Sequence, residues 1–113
     1  MFISVTRMRL KGYRMLPIFF LYTTRATLQS NKAKGLIHSS FEKEGWHTFW
    51  TLTVWDDKDC MKEYRNNGNH LKAMKIARKI ASELEFTNWE NNEVPKWNEC
   101  KTILHEKYGR NIN

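Results

Sequence analysis

The residues best suited to chemistry are concentrated in one run, HTFWTLTVWDDKDCMKEYRNNGNHLKAM, which spans residues 47–74. His70 follows an Asn-rich break, and its imidazole could act as a general base because histidine titrates near neutral pH. Tyr64 could direct its hydroxyl into a pocket from the inner stripe of a helix. Trp50 and Trp55 lie on opposite faces of one strand, so only one of them can line a given pocket. The sequence therefore predicts a pocket without specifying a reaction, and a surface histidine with packed aromatic residues is the alternative.

A second group of candidates lies on the first predicted strand. Arg7 and Arg9 share a strand face, and their guanidinium groups could bind a carboxylate. A solvated end of the sheet would explain the same pair. The sequence contains no Ser-His-Asp arrangement, phosphate-binding loop or paired-carboxylate motif, so it indicates none of the chemistries that depend on them.

The two cysteines give no sign of a metal site or a disulfide framework. Cys60 and Cys100 are far apart on separate predicted helices, and neither CxxC nor Cys/His spacing is present. We therefore predict two small apolar packing residues in a protein of the reducing cytoplasm.

The central element is a strand that starts at Thr48 and ends at Trp55. Its side chains alternate between two faces, and both faces carry large apolar groups with threonines between them. A sheet with one wet face would show charged residues on alternate positions, so both faces of this strand must be covered. Asp56 and Asp57 end the strand and can cap a helix whose apolar stripe includes Tyr64.

The other elements follow from apolar periodicity and turn residues. Further strands are predicted at Phe2–Leu10, Leu36–Glu42 and Leu84–Trp89. Further helices are predicted from Pro17 to about Asn31, from His70 to about residue 82 with Asn69 as its cap, and along a final stripe of Trp97, Cys100, Leu104 and Tyr108.

The order of elements is β-α-β-β-α-β with an extra C-terminal helix, which predicts an α+β ferredoxin-like sheet in a single domain over residues 1–113. The two crossover helices of such a fold cover one face of the sheet. We therefore expect a second sheet, supplied by an identical subunit, to cover the other face in a homodimer. Pockets are expected between each sheet and its helices.

The net charge of +7 is unevenly distributed, because residues 1–41 contain seven Lys or Arg and no acid. A nucleic-acid face, a peripheral membrane contact beside the apolar run Leu16–Tyr22 and a solvated basic face are the alternatives. The sheet lacks the K/R-G-F/Y pattern of single-strand RNA readers, so nucleic acid is not a predicted partner. The apolar run is far too short to span a membrane. The acid-free segment 1–41 is not predicted to be a transit peptide, because its removal would delete a strand and a helix of the fold.

Several segments resemble a bacterial family of the antibiotic biosynthesis monooxygenase-like superfamily. They are FISVTRMRL, LPIFFLY, TFWTLTVWDDKDCMKEYRNNGNHLKAM and VPKWNE, and TVWDD and NGNHLKAM are the most specific. The resemblance implies a dimeric α+β barrel, with a core similar to that of spheroidene monooxygenase. The superfamily includes cofactor-free oxygenases, haem-degrading oxygenases and members without known activity, so the resemblance fixes the fold better than the reaction.

Aligned on TVW, the Asn, Trp and His of the haem-degrading branch correspond to Thr6, Tyr64 and Met74, and none of the three matches. We therefore predict neither haem degradation nor any cofactor, although a Met thioether can ligate iron. Cofactor-free members hold a phenolic substrate with polar and aromatic groups, for which Tyr64, Trp50 and His70 are the nearest equivalents in type. The predicted catalytic residues are His70 and Tyr64, and the predicted substrate contacts are Thr6, Arg7, Trp50, Trp55 and Met74.

Two functions remain open. The first is a monooxygenase-like enzyme, free of metal and flavin, that acts on a hydrophobic or aromatic small molecule with His70 as proton acceptor. The second is a non-catalytic dimeric module that binds a small apolar ligand or supports another process.

Overall fold

A computed structural model describes residues 1–30, 33–66 and 68–109 of the chain. Inside these ranges, the side chains of Ala26, Thr27, Ser30, Asn69, His70, Leu71 and Ala73 lie outside the description. The described strands are β1 (Phe2–Leu10), β2 (Leu36–Glu44), β3 (Thr48–Trp55) and β4 (Ala81–Glu90). The described helices are α1 (Leu16–Ser30), α2 (Lys58–Arg65), α3 (Gly68–Ile80) and α4 (Trp97–Lys107), with a short 3₁₀ turn at Tyr13–Met15 before α1.

The four strands form one antiparallel sheet in the order β2-β3-β1-β4, so the predicted ferredoxin-like α+β fold is confirmed. The hydrophobic strand β3 occupies one of the two central positions, with one face buried and the other partly buried. The hairpin between β2 and β3 turns at Gly45, whose φ of 69° lies in the left-handed region that glycine adopts without strain.

Three predicted boundaries are wrong. Strand β2 continues to Glu44 instead of ending at Glu42, because Lys43 and Glu44 still pair with β3. Helix α3 begins at Gly68, so Asn69 lies inside the first turn and is not the cap before a helix that starts at His70. Strand β4 begins at Ala81, immediately after α3 ends, because Ala81 already pairs with Leu10 of β1. Pairing with a neighbouring strand is a long-range interaction, which the local pattern of residues does not report.

Helices α1 and α3 pack against each other and cover one face of the sheet. Met8 and Leu10 of β1 contact Phe19 of α1 and Ile80 of α3 in one buried cluster. We call this side of the sheet the helical face.

The opposite face of the sheet, which we call the outer face, is covered by α4 of the same chain. The buried cluster on this side contains Ile3, Val5, Trp50, Leu52, Val54, Cys100 and Leu104. The reason given for a second subunit, that the chain's own helices cannot cover this face, is therefore wrong. The two crossover helices alone cannot cover this face, but the apolar stripe of α4 docks on its own sheet and does so.

Polar contacts hold α4 across the sheet from one edge to the other. Trp97 at its start donates its indole N–H to Ser40 of β2 at 3.3 Å, and Lys101 forms an ion pair with Glu42 of the same strand. Near its end, Lys107 donates to the carbonyl of Phe86 on β4 at 2.7 Å. Because these contacts lie on both edge strands, α4 spans the whole width of the outer face.

Candidate functional site

A cavity of about 480 Å³ lies on the helical face, between the sheet and the helices, where the sequence predicts a pocket. This volume falls within the range of pockets that bind small molecules. The side chains around it are Ser4, Thr6, Met8, Phe19, Tyr22, Thr23, Ser39, Phe41, Phe49, Thr51, Thr53, Trp55, Met61, Tyr64, Arg65, Asn66, Met74, Lys75, Ile76, Ala77, Arg78, Ile80, Leu84, Phe86 and Asn88.

The floor of the cavity is made of four small hydroxyl side chains on the two central strands. Ser4 of β1 is paired with Thr53 of β3, and Thr6 of β1 is paired with Thr51 of β3. Paired residues point to the same side of a sheet, with Cβ atoms about 5 Å apart. Because these side chains are short and the neighbouring positions are large, the helices above leave an unfilled space over them.

The register extends the floor into two rows of different polarity across the whole sheet. One row is fully polar, with Asn88 and Ser39 on the edge strands flanking Ser4 and Thr53. The next row has Phe86 and Phe41 on the edge strands, flanking Thr6 and Thr51. Both phenylalanines are about half exposed. The cavity floor therefore has one fully polar row next to one row with phenylalanines at its edges.

Aromatic side chains close the two ends of the cavity. At one end, Phe19 of α1 stacks on Phe49 of β3 with ring centroids 4.2 Å apart. At the other end, Trp55 of β3 lies 5.0 Å from Tyr64 of α2, beside the buried Met61. Aromatic side chains at both ends suit a ligand with an apolar or aromatic body.

The start of α2, which positions Tyr64, is fixed by Asp57 and Gly35. Asp57 accepts a hydrogen bond from the Cys60 backbone N–H at 2.9 Å, which confirms the predicted cap. This hydrogen bond lowers the pKa of Asp57 below its ordinary value of 3.8. Gly35 has a φ of 85°, and a Cβ there would lie 2.6 Å from the Sγ of Cys60. Its carbonyl accepts from the N–H of Asp56 at 2.8 Å, so the beginning of β2 is anchored to the end of β3.

The charged groups around the cavity are all cationic among the described residues. They are Arg65 of α2 and Lys75 and Arg78 of α3, whereas no carboxylate or imidazole of the described residues lines the space. A ligand that carries a negative or electron-rich polar group would therefore be favoured by the field at the rim. In the described ranges, no three His, Cys, Asp or Glu side chains come together as a potential metal site.

Four of the predicted site residues lie around this cavity. Thr6 is in the floor, Tyr64 and Met74 are in the walls, and Trp55 forms the wall behind Tyr64 with no exposed surface of its own. The indole N–H of Trp55 has no hydrogen-bond partner among the described residues. The predicted catalytic side chain of His70 lies outside the described residues, and only its backbone position in the first turn of α3 is given.

Two predicted substrate contacts, Trp50 and Arg7, lie on the outer face and are not brought to the cavity. Trp50 is fully buried near α4 and donates its indole N–H to Glu44 at 2.8 Å. Arg7 does bind carboxylates, but they belong to Glu83 and Glu85 of β4, at 2.7 and 2.8 Å. Neighbouring residues on a strand point to opposite sides, so Arg7 faces away from the cavity that Thr6 lines.

Most residues of the polar cavity floor are not predicted from the sequence. Ser4, Thr51 and Thr53 were not among the predicted site residues, and neither were the polar edge residues Ser39 and Asn88. The signal was present in the strand parity, because small hydroxyl residues occupy alternate positions of both β1 and β3. Only the pairing register shows that these positions adjoin and form one surface.

Both cysteines lie away from this lining, and both thiols have raised pKa values. Burial raises the pKa of Cys100 to about 11, and burial together with the neighbouring Asp57 raises that of Cys60. Neither thiol is therefore an activated nucleophile near neutral pH.

No protein-family model matches the sequence, and no curated protein is significantly similar to it. Solved structures match its fold. SnoaB, a cofactor-independent oxygenase from Streptomyces nogalater, is 15% identical with a TM-score of 0.68, over 84% of this chain and 97% of SnoaB. A candidate antibiotic biosynthesis monooxygenase from Nitrosomonas europaea is 9% identical with a TM-score of 0.72, over 82% of this chain and 100% of its own. A further antibiotic biosynthesis monooxygenase is 8% identical with a TM-score of 0.70, over 84% and 100% of the two chains. The fold of this chain is thus that of the antibiotic biosynthesis monooxygenase-like proteins, as the sequence resemblance implies.

Proposed function

We propose that this chain binds a hydrophobic or aromatic small molecule in the cavity of the helical face and oxygenates it without a cofactor. The observation that carries the proposal is the cavity itself, with aromatic ends, a hydroxyl floor and a cationic rim. The fold shared with SnoaB, a cofactor-independent oxygenase, supports the reaction class by analogy.

The roles of the residues follow from their positions. The apolar body of the ligand would pack between Phe49 and the pair formed by Trp55 and Tyr64. Its polar group would receive hydrogen bonds from the hydroxyls of Thr6 and Tyr64, which hold it in one orientation. The cationic rim would stabilise the anion formed when the substrate loses a proton.

Without a cofactor, the electrons for oxygen reduction must come from the substrate. We propose that His70 removes a proton from an activated CH₂ group, and that the resulting carbanion reduces O₂. One oxygen atom then becomes a carbonyl oxygen of the product, and the other leaves as water with the two hydrogens of the CH₂ group. The substrate must therefore be an electron-rich molecule with an acidic C–H bond, such as an aromatic ring system that can form a quinone.

Oxygen consumption tests the reaction directly. A panel of electron-rich aromatic substrates is incubated with the wild type, His70→Ala and Tyr64→Phe, with His38→Ala and Tyr13→Phe as matched controls. His38 and Tyr13 are exposed and do not line the cavity. We expect His70→Ala and Tyr64→Phe each to lower kcat by about a hundredfold, the usual contribution of a positioned acid or base, and both controls to match the wild type. Unchanged turnover in His70→Ala and Tyr64→Phe would contradict the proposed roles.

The second candidate function is ligand binding without catalysis. The observation that favours it is the absence of a carboxylate or imidazole from the described part of the cavity lining. A wild-type protein that binds the aromatic panel but consumes no oxygen with any member would establish this function in place of the first.

A homodimer and a cytoplasmic location also remain proposals. A homodimer through the outer face would have to include α4, because α4 already covers the sheet there. Light scattering of the eluting peak in size-exclusion chromatography measures the mass directly, and a monomer at all concentrations would exclude the dimer. The predicted membrane contact through the basic N-terminal third also stays a prediction; the membrane surface argued below uses only Arg25 of those seven cations, together with cations of α3.

A further inference from the structure

Helix α1 is apolar on two opposite sides. Phe19, Tyr22 and Thr23 face the cavity, as expected for a helix that covers a sheet. The opposite side carries exposed apolar residues as well, because Leu21 and Leu28 are 48% and 59% exposed. Leu21 and Leu28 are seven residues apart and therefore lie on the same side of the helix, two turns apart. The described residues thus leave an apolar helix side facing solvent.

Helix α3, which packs beside α1, presents cations on its outward side. Lys72, Lys75 and Lys79 are exposed at a spacing of three and four residues, and Arg78 is exposed next to them. Ile76, Ala77 and Ile80 are less exposed and line the cavity, and the exposed Lys75 and Arg78 also reach its rim. Because α1 and α3 lie side by side on one face of the sheet, their outward sides form one surface.

We call this the outer helical surface, made of Leu21, Arg25 and Leu28 of α1 with Lys72, Lys75, Arg78 and Lys79 of α3. Lys75 and Arg78 lie where this surface meets the cavity rim. Neither helix contains Asp or Glu. Among the described residues, no carboxylate forms an ion pair with any of these five cations. The acids lie elsewhere, including α2 at one end of the layer and the outer face, where Glu42, Glu83 and Glu85 pair with other cations. The charged groups of the outer helical surface are therefore all cationic.

We propose that the outer helical surface docks on an anionic lipid bilayer. An exposed apolar helix side that can enter the interface, next to a row of cations that can contact lipid headgroups, is the pattern of peripheral membrane attachment. None of the described helices is long and apolar enough to cross a bilayer, so the contact would be made from one side. The cavity lies directly beneath this surface, which would place it close to a source of apolar ligands.

Two other occupants fit the surface less well. A second copy of the chain related by twofold symmetry would place the unpaired cations of one subunit near those of the other, which is unfavourable. RNA would satisfy the cations, but exposed leucines gain nothing from a phosphate backbone. An anionic bilayer satisfies the cations and the apolar residues together.

Flotation with lipid vesicles tests the proposal on the full chain. Wild-type protein is mixed either with vesicles of pure phosphatidylcholine or with vesicles that also contain phosphatidylserine. We expect binding to the phosphatidylserine vesicles only, with a strong loss at high salt because exposed charges are screened. Each cation near an anionic surface contributes about fivefold to binding, so Lys72→Glu/Lys79→Glu should weaken it more than tenfold.

Matched variants separate this surface from general charge and hydrophobicity. Lys58→Glu/Lys96→Glu changes the net charge by the same amount at exposed positions outside the outer helical surface, and it should bind the vesicles as the wild type does. Leu21→Ser/Leu28→Ser removes the apolar contact and should weaken binding more than tenfold. Its control is Ile37→Ser/Val94→Ser, which changes two exposed apolar residues elsewhere. All four variants alter exposed side chains, and circular dichroism checks that they are folded.

Loss of binding in both surface variants and retention in both controls would establish the proposal. Equal loss in a surface variant and its control would overturn it, because general charge or stickiness would then explain the binding. Absence of vesicle binding by the wild type would also overturn it. If Leu21→Ser/Leu28→Ser instead abolished a dimer seen by light scattering, the occupant would be a second copy. None of these outcomes depends on the proposed oxygenase activity, so the two proposals fail separately.

Discussion

Leu104→Ala is predicted to remove a large part of the stability of the fold, because α4 is the cover of the outer face. Leu104 has no exposed surface and packs in the cluster that includes Trp50 and Val54. Leucine-to-alanine changes in packed cores lower the free energy of unfolding by about 2–5 kcal/mol. Because Leu104 is fully buried, we expect a loss of about 3–4 kcal/mol. The total free energy of unfolding of a domain is only about 5–15 kcal/mol. The variant should therefore fold, but with a much smaller margin.

The matched control is Ile103→Ala, one position away on the same helix. Ile103 is only partly buried, so the same kind of truncation should cost about 1 kcal/mol or less. Urea unfolding followed by tryptophan fluorescence reports directly on this region, because Trp89 and Trp97 pack against the cluster. With a slope of about 1.5 kcal/mol per molar urea, the midpoint of Leu104→Ala should fall by about 2 M. Equal shifts in the two variants would refute the docking of α4 on the sheet.

Three further predictions test other parts of the structure. Asp57→Ala should destabilise the protein at neutral pH. Because the pKa of Asp57 in the folded protein lies below its ordinary 3.8, its stabilising contribution is present above pH 3.8 and is lost as the pH falls through the folded pKa. The urea midpoints of variant and wild type should therefore converge in acid, and a pH-independent difference would contradict the cap. Mass spectrometry after iodoacetamide treatment should find Cys60 alkylated slowly and Cys100 only after unfolding, since Cys100 is buried with a pKa of about 11; rapid labelling of native Cys100 would contradict its burial. Arg7→Met should lower stability by about 2–3 kcal/mol in thermal or urea unfolding, because it removes two charge-assisted hydrogen bonds to Glu83 and Glu85, and a change below about 0.5 kcal/mol would contradict their contribution.

The sequence predicted the fold well because its strongest signal was local. The alternation from Thr48 to Trp55 predicts a central strand that is covered on both faces, and the structure has α4 over one face and the cavity with its helices over the other. The same pattern could not tell which element covers which face. A short helix with an apolar stripe, such as α4, has the same sequence pattern whether it docks on its own sheet or on another subunit.

The site was predicted only in part for a related reason. Tyr64 and Thr6 reach the cavity, whereas Trp50 and Arg7 point to the outer face. Strand alternation divides residues into two sets, but it does not say which set faces the helices. The polar floor depends in addition on the register between strands, which is a long-range property. The sequence also does not show that the basic helix α3 lies beside the exposed apolar side of α1, because helix packing is a long-range property.

The central claim, that the cavity on the helical face binds an apolar or aromatic molecule, is tested most directly by filling it. Thr51→Phe places a large side chain on the cavity floor, and Thr102→Phe makes the same change on α4, away from the cavity. Fluorescence titration with anilinonaphthalene sulfonate, an aromatic anion suited to the apolar walls and the cationic rim, measures binding to wild type and both variants. Cooperative urea unfolding of each protein must accompany the titration, because this dye also binds partly unfolded states. We predict saturable binding to wild type and Thr102→Phe, and at least tenfold weaker binding to Thr51→Phe; equal binding to all three folded proteins would contradict the claim.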